Sequence, residues 1–314
     1  MAHPLQTTRL DGAAGAEGLP PVLIVGASGF VGGHTLRHLR GLGWRVVGTR
    51  SRGSGPDLRA FDLARDRLRH MVDDLMGDAG RPAHVVICAA MAQPDLCFRE
   101  RDLSYQVNVV GTIRLIEDAV ALGARPLYMT SGFAYDGLAG YYADDEPRWP
   151  INEYGRHKVE VEEYCAVNQP GMLLYRLDKV MGDDPAENHM FSEWYRWHLE
   201  GKPIICIADQ LFSPTHVGDV ARAIRIGCER NLGGVYNIAN PEFFTREELA
   251  RQFFRILGKQ ARIICKTQEE LNFVDLRPEK TYLDSSRFQR DAGFRFTSVR
   301  ETIQTFIENM KRTP

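Results

Sequence analysis

A short apolar run followed at once by three evenly spaced glycines is the feature that most constrains the fold. Val22–Val25 has the composition of a buried strand, and the sequence Gly-Ala-Ser-Gly-Phe-Val-Gly occupies residues 26–32 directly after it. Residues 33–42 then show the apolar spacing of a helix. A strand, a glycine-rich turn and a helix in this order predict the first unit of a parallel α/β sheet, with the turn placed to bind the pyrophosphate of a dinucleotide.

The three glycines have separate roles in this prediction. Gly26 permits the tight turn, Gly29 lets the backbone approach the pyrophosphate, and Gly32 lets the helix pack closely on the strand. Amides at the start of the helix would then point at the phosphates. Glycines at this spacing also occur in plain turns, but the flanking strand and helix favour the dinucleotide site. The expected cofactor contacts from this loop are Gly26, Ser28, Gly29, Phe30, Val31 and Gly32.

The second predicted strand, residues 45–49, is followed by Arg50 and Arg52 with Ser51 between them. At about this distance, roughly 20 residues beyond the glycines, an NAD site usually carries an acidic residue that binds the ribose 2′-hydroxyl. Two guanidinium groups in its place match the geometry of a 2′-phosphate. The sequence therefore predicts NADPH as the cofactor, with a solvated basic turn as the alternative.

Three residues further along the chain have the chemistry of carbonyl reduction. Tyr154 and Lys158 are four residues apart, so a helix would place them on one face, where the ammonium favours the ionised phenol and brings its pKa closer to the working pH. Ser131 would orient the carbonyl. Tyrosine and lysine at this spacing are common on solvated helices, so the prediction of a ketone reductase depends on the dinucleotide unit that precedes them.

Strands and helices alternate through the first half of the chain. The predicted strands are residues 22–25, 45–49, 85–88, 127–130 and 172–176. Nearly continuous apolar strands between amphipathic helices predict a Rossmann-type doubly wound parallel sheet covered on both faces. Ligands bind such sheets at the carboxyl ends of the strands, which is where the candidate residues lie.

The alternation changes after about residue 177, where we expect a smaller C-terminal α/β substrate domain. Residues 188–201, 245–257 and 299–310 have helical spacing, and the first of these is rich in aromatic residues. The predicted organisation is a flexible tail over residues 1–20, an NADP-binding Rossmann domain over 21–176 to which residues 213–239 return, and a substrate-binding domain over 177–314.

Taken together, these blocks resemble the extended short-chain dehydrogenase/reductases, and within them the dTDP-4-dehydrorhamnose reductase group and related nucleotide-sugar 4-ketoreductases. The resemblance covers nearly the whole chain after residue 20. It rests on the glycine-rich loop and on further blocks at residues 89–90, 107–109, 128–137, 154–158, 209–215, 276–278 and 282–284.

The resemblance also implies roles for individual residues. Ser131, Tyr154 and Lys158 would be catalytic, with Asn108 supporting the proton relay. Lys158 would also hold the cofactor ribose. Further cofactor contacts are expected from Asp62 and Leu63 beside the adenine, and from Ala89, Ala90 and Met91 after the fourth strand. The expected substrate-binding residues are Ser131, Asn188, Trp194 and Arg277, with Arg277 as a diphosphate clamp and Trp194 as either a stacking surface or a domain-packing residue.

Gly132 and Phe133 separate this chain from its neighbours in that superfamily. Sugar dehydratases carry an acidic pair at these positions, because elimination of water needs an acid and a base, and one group of epimerase-reductases carries a cysteine in this region. Elimination and that type of epimerisation are therefore disfavoured. An epimerase of the galactose type stays open, although such enzymes keep NAD and regenerate it internally. His157 lies between the catalytic pair in sequence, and we expect it to point to another face and to be solvated.

Composition excludes several other classes. The chain has 314 residues, 44% of them hydrophobic, and a net charge of −2, which does not suggest binding to nucleic acid or to an anionic membrane. Six cysteines without a C-x-x-C pair predict reduced thiols and no zinc site, and no metal is expected. We expect a cytoplasmic protein, because the first twenty residues lack the pattern of a secretory signal and no apolar run reaches transmembrane length.

The sequence thus predicts NADPH-dependent reduction of the 4-keto group of a nucleotide-activated 4-keto-6-deoxysugar, with Tyr154 as general acid. A dTDP-linked sugar is the first choice of substrate. A nucleotide-sugar epimerase of the same fold is one alternative. The other is a non-catalytic regulatory subunit resembling the β subunit of methionine adenosyltransferase, because fold alone does not determine function. A nucleotide sugar is the expected small-molecule partner, and a homodimer stays open.

Overall fold

The computed structural model describes residues 19–52 and 57–312. The predicted tail at residues 1–20 therefore lies almost entirely outside the described residues. The strands are β1 Val22–Val25, β2 Val46–Arg50, β3 Leu58–Ala60, β4 His84–Ile87, β5 Arg125–Ser131, β6 Leu173–Leu177, β7 Val180–Met181, β8 Ile204–Ile207, β9 Leu211–Phe212, β10 Thr215–His216, β11 Gly234–Ile238, β12 Phe244–Thr245 and β13 Ile263–Lys266. The α-helices are α1 Phe30–Gly41, α2 Leu68–Met76, α3 Pro94–Arg99, α4 Arg101–Tyr105, α5 Thr112–Ala121, α6 Glu153–Asn168, α7 Met190–Leu199, α8 Val217–Glu229, α9 Arg246–Leu257, α10 Ser286–Ala292 and α11 Val299–Arg312.

A seven-stranded sheet of order β11-β6-β5-β4-β1-β2-β3 forms the centre of the molecule. All of its strand pairs are parallel. The strand order reverses beside β1, which lies between β2 and β4, and this switch point opens a crevice at the carboxyl ends of the strands. The predicted Rossmann-type doubly wound fold is confirmed. Strand β11, far along the chain, pairs with β6 at the edge of this sheet.

Both faces of the sheet are covered by helices, as the apolar strands require. One buried cluster contains Leu36 of α1, Ile224 of α8 and Phe288 of α10. The opposite cluster contains Val72 of α2 and Ile116 of α5, together with residues of α6. All four side chains of β1 are buried, because they alternate between these two clusters. Removal of this apolar surface from water is the main force holding the sheet and helices together.

A separate aromatic cluster lies in the C-terminal part, among α7, α9 and α11. Phe191 and Phe253 stack with ring centroids 4.9 Å apart, and Phe306 meets Phe253 edge-on at 5.4 Å. Strands β8 and β13 pair beside these helices. Helix α7 starts at Met190 rather than at residue 188. The Ser192 hydroxyl accepts a hydrogen bond from the His189 amide and so caps the N-terminus of the helix at His189.

Several elements of the fold were not predicted, among them strand β3 and the turn over residues 106–111. Strand β3 is short and largely exposed, so it carries little of the apolar signal that identifies a strand. Residues 106–111 form a π-helical turn between α4 and α5, which no side-chain periodicity indicates. Within residues 19–52 and 57–312, no helix is both long enough and apolar enough to cross a membrane.

The glycine-rich turn after β1 is packed so tightly that it accepts no larger residues. Gly26 has a φ of +92°, and a Cβ there would lie 2.5 Å from the backbone nitrogen of Ala89 at the end of β4. A Cβ on Gly32 would lie 2.3 Å from the carbonyl oxygen of Gly26. The turn thus brings the backbones of β1, β4 and α1 into close contact, as the separate roles of Gly26 and Gly32 require.

We predict that Gly32→Ala lowers the free energy of unfolding by about 1–3 kcal/mol, the usual effect of overpacking, because backbone atoms must move. The matched control is Gly41→Ala at the other end of α1, where an added Cβ meets nothing within 4 Å. That change should be neutral or stabilising by up to about 1 kcal/mol. Urea unfolding of both variants measures the difference, and equal stabilities would contradict the close approach described here.

Candidate active site

A cleft of about 520 Å³ lies at the switch point and gathers most of the predicted cofactor residues. Those lining it are Gly26, Ser28, Gly29, Ser51, Arg52, Asp62, Leu63, Ala89, Ala90 and Met91. The others lie around it. Gly32 is buried beneath the turn, Val31 packs against the core, Phe30 meets His34 and His189, and Arg50 ends β2. The glycine-rich turn, the end of β2 and the end of β4 therefore meet at this one cleft.

The start of helix α1 is suited to binding an anion. Its N-cap is Gly29, which supplies no side-chain cap, and the first turn of α1 contains no acidic residue. The first amides of the helix therefore keep their donors and their share of the helix dipole for a ligand. With the close glycine packing, this geometry fits the pyrophosphate of a dinucleotide.

A second cavity of about 420 Å³ holds the predicted catalytic pair. Ser131 at the end of β5 and Tyr154 on α6 both line it, and a hydrogen bond joins their side chains. The backbone amide of Phe133 donates to the Ser131 hydroxyl at 3.2 Å, which fixes its position. Helix α6 begins one residue before Tyr154, where the Asn152 side chain caps it through the Gly155 amide at 2.7 Å.

Lys158 lies one turn further along α6 and is buried beneath this pair. Its Nζ donates to the Tyr128 hydroxyl and to the Met129 carbonyl, both at 2.9 Å, and lies 5.5 Å from the centre of the Tyr154 ring. Burial lowers the pKa of Lys158 to about 8, although Glu162 opposes the shift. The sequence analysis did not single out Tyr128 as a partner of Lys158.

The phenol of Tyr154 differs electrostatically from the prediction. Burial raises its pKa well above the usual value, and the nearby Cys97 adds to the rise, while the Ser131 hydrogen bond opposes it. The expected decrease caused by Lys158 is absent in this structure. Distance explains the difference, because the ammonium hydrogen-bonds to Tyr128 and a carbonyl rather than to the Tyr154 oxygen.

Asn108 lies in the π-helical turn and is almost fully buried. Its Oδ1 accepts from the Met91 amide at 2.8 Å and its Nδ2 donates to the Met91 carbonyl at 2.9 Å. Both bonds hold the segment after β4 against the cofactor cleft. The same amide lies 3.4 Å from Nδ1 of His157, which is only 2% exposed. The prediction that His157 is solvated is therefore wrong: its face of α6 packs against the turn that holds Asn108.

A buried ion network holds α6 to the sheet. Glu162 accepts from Arg176 of β6 at 2.7 Å, from Arg148 at 3.0 Å and from the Thr130 hydroxyl of β5 at 2.6 Å. These charged hydrogen bonds keep the pKa of Glu162 below its usual value despite burial. Loss of one partner from such a network costs about 3–5 kcal/mol, because a charge is left buried. The network therefore fixes the position of the helix that carries Tyr154 and Lys158.

The predicted substrate residues divide into two groups. Arg277 lines the second cavity beside Ser131 and donates to Asp95 at 2.7 Å. Trp194 is 1% exposed inside the aromatic cluster of the C-terminal part, so it has no face free for a nucleotide base and has the packing role instead. Asn188 is exposed and does not line this cavity. The aromatic residues of α7 therefore indicate a helix that packs in the C-terminal core and not a ligand-binding surface.

A family profile described as the RmlD substrate binding domain matches residues 21–312. The chain belongs to this family. Among its curated relatives is methionine adenosyltransferase 2 subunit beta of Mus musculus, 25% identical over 91% of this chain and 88% of that protein. Another is the spore coat polysaccharide biosynthesis protein SpsK of Bacillus subtilis (strain 168), 26% identical over 91% of this chain and 96% of that protein.

Solved structures share the fold of this RmlD-family chain. The dTDP-4-dehydrorhamnose reductase of Bacillus anthracis str. Ames, solved with NADP, superposes with a TM-score of 0.81 at 21% identity, covering 92% of this chain and 99% of that one. MoeE5, solved with UDP-glucuronic acid and NAD, gives 0.77 at 24% identity, covering 94% of this chain and 100% of that one. These likenesses confirm the predicted Rossmann-type α/β fold.

Residues 19–52 and 57–312 contain neither a candidate metal site nor a disulfide bond. No group of three or more His, Cys, Asp or Glu residues within 19–52 and 57–312 could hold a metal ion. The six cysteines all fall within these ranges and are unpaired.

We predict that NADPH binding weakens as pH rises through about 8, because Lys158 loses its charge there. One unit above the pKa about one tenth of these lysines stay charged, so affinity should fall by up to about tenfold between pH 7 and 9. Fluorescence titration of NADPH at each pH measures this. Lys158→Met should bind weakly at all these pH values. A parental affinity that is constant from pH 7 to 9.5 would show that Lys158 does not contribute through its charge.

Proposed function

We propose that this protein catalyses NADPH-dependent reduction of the 4-keto group of a nucleotide-activated 4-keto-6-deoxysugar, with a dTDP-linked sugar as the first choice. The observation that carries the proposal is the hydrogen-bonded Ser131 and Tyr154 pair, which faces a cavity beside the dinucleotide cleft. The two cavities adjoin along one stretch of chain, since Met91 lines the cleft and Ala92 lines the cavity. A carbonyl held at Ser131 would thus lie close to a cofactor held in the cleft.

The side chains divide the work of this reaction. When bound, NADPH supplies the hydride that forms the new C–H bond. Ser131 orients the carbonyl oxygen, which receives the electron pair of the double bond and takes a proton from Tyr154. The raised pKa of Tyr154 keeps the phenol protonated at neutral pH, as a general acid requires. Lys158, with its Nζ 5.5 Å from the centre of the Tyr154 ring, provides a positive charge beside the phenolate that remains.

Membership of the RmlD family supports a nucleotide-sugar reductase, and the Bacillus anthracis reductase with bound NADP is a fold relative with that activity in its name. The choice of NADPH is supported by Arg52, which lines the cleft at the end of β2, and by Arg50 beside it. Neither argument identifies the sugar. Gly132 and Phe133 support reduction over elimination, because neither can act as an acid or a base.

For the cofactor, we predict that NADPH binds at least about tenfold more tightly than NADH, which corresponds to roughly 1.4 kcal/mol. Arg52→Ser should remove most of this preference by weakening NADPH alone. The matched control is Arg45→Ser, an exposed arginine just before β2 and therefore at the far end of that strand. Titrations with both reduced cofactors provide the test, and a parental preference for NADH would favour the epimerase.

For the chemistry, we predict that Tyr154→Phe lowers turnover by about two to four orders of magnitude with little change in NADPH affinity, since only the general acid is removed. Ser131→Ala should lose less. Tyr164→Phe is the control, because Tyr164 lies on the same helix and donates instead to Glu117 on the surface. Steady-state NADPH oxidation with 4-keto-6-deoxy sugars linked to dTDP, UDP and GDP supplies the rates. Near-parental turnover in Tyr154→Phe would place the proton donor elsewhere.

A second candidate is a non-catalytic subunit, favoured by the match to methionine adenosyltransferase 2 subunit beta over most of the chain. The hydrogen-bonded pair of Ser131 and Tyr154, with the Lys158 ammonium 5.5 Å from the centre of the Tyr154 ring, supports the enzyme instead. The two candidates differ in a direct way. Recovery of a stoichiometric methionine adenosyltransferase partner, together with no NADPH oxidation by any keto sugar, would reverse the ranking.

A further inference from the structure

The cavity beside Tyr154 contains an arginine without an acidic partner. Arg246, the first residue of α9, directs Nε and Nη2 at the amide oxygen of Gln210, the Nε bond being 3.1 Å long. No carboxylate in residues 19–52 or 57–312 lies within salt-bridge distance of its guanidinium. Burial lowers the pKa of Arg246 to about 10, so the group is charged at neutral pH but poorly solvated. Arg246 is half-buried, and a partly desolvated cation without a carboxylate partner is stabilised by a ligand that supplies the opposite charge.

Lys179 adds a second positive charge on the same side. It follows β6 and lines the cavity together with Arg246 and Gln210. Lys179 is exposed to solvent in the cavity, and desolvation together with the charge of Arg246 lowers the pKa of its ammonium to about 8. Asp178 and Glu193 oppose this decrease, and an Asp178 carboxylate oxygen also accepts a hydrogen bond from the Ser213 amide at 2.6 Å. The two cations therefore repel each other across a cavity that opens to solvent.

Arg277 on another wall of the cavity is in a different state. Its Nη2 is paired with Asp95 at 2.7 Å, and its guanidinium lies over the Phe273 ring at 4.9 Å. Arg277 would have to leave this carboxylate to bind a phosphate fully. Excess positive charge in the cavity is thus concentrated at Arg246 and Lys179, which the sequence analysis did not single out.

We propose that Arg246 and Lys179, with Gln210 holding the guanidinium in place, bind the diphosphate of a nucleotide-linked substrate. The planar guanidinium matches phosphate oxygens, and the ammonium adds a mobile donor. An anion between them would remove their mutual repulsion and replace the water lost on burial. This inference rests on the proposed function, since it names the group that anchors the substrate while its sugar reaches Ser131 and Tyr154.

The test measures binding rather than turnover, so that it stands even if no keto sugar is reduced. Calorimetry on the full chain compares dTDP and UDP with thymidine and uridine, which lack phosphates. Arg246→Gln and Lys179→Gln should each weaken dTDP and UDP binding at least about tenfold, roughly 1.4 kcal/mol, and should leave nucleoside binding unchanged. NADPH affinity should stay at the parental value in both variants and verifies that they are folded.

Arg251→Gln is the matched control, because Arg251 lies on the same helix but pairs with Glu247 on the surface. It should bind dTDP like the parent. Arg246→Lys, which keeps the charge and loses the fork, should fall between the parent and Arg246→Gln. The proposal is overturned if the parent has no measurable affinity for dTDP or UDP, or if neither the two single variants nor their combination changes it. If UDP binds equally in all variants and only UDP-glucuronic acid weakens relative to UDP-glucose, the cations bind a sugar carboxylate and the diphosphate assignment is wrong.

Discussion

The packing of helix α6 on strand β5 is the constraint on which the candidate active site depends. Tyr128 and Thr130 point to one face of the strand, and Lys158 and Glu162 lie one turn apart on the helix. Lys158 donates to Tyr128 while Glu162 accepts from Thr130, so two buried contacts hold the helix to this face of the strand. Arg176 of β6 then completes the buried network at Glu162. Tyr154, one turn before Lys158, is positioned by these contacts of its helix as well as by its own hydrogen bond to Ser131.

Burial in this arrangement moves both titrating groups toward their neutral forms. It raises the pKa of Tyr154 and lowers that of Lys158, so the phenol keeps its proton while the ammonium becomes easy to discharge. Glu162 opposes the second effect because its negative charge favours the charged lysine. The ion network therefore acts on chemistry as well as on packing. A site made only of apolar neighbours would leave the phenol protonated but without a cation to stabilise the phenolate.

The sequence predicted the sheet and its glycine-rich turn because both depend on short-range pattern. Four apolar residues and glycines at positions 26, 29 and 32 specify β1 and its turn almost alone. Features that depend on contacts between distant segments could not be predicted in this way. From the sequence, Trp194 could be a ligand surface or a core residue. Its ring contacts with Phe191 and Phe253 identify it as a core residue. His157 reads as solvated until the turn holding Asn108 covers it. Tyr128 gave a signal only through alternation along β5, which becomes informative once α6 is placed against that strand.

The two halves of the site consequently differ in how they can evolve. The cofactor side includes much backbone, namely the uncapped start of α1 and a turn in which Gly26 and Gly32 leave no room for a Cβ. The substrate side consists of side chains from separate segments, including Ser131 after β5, Lys179 after β6 and Arg246 on α9. Each of these can change without disturbing the sheet. A common fold can therefore keep its cofactor site while the charge and shape of the second cavity change. Substrate choice in such a family thus depends on these side chains and not on the fold.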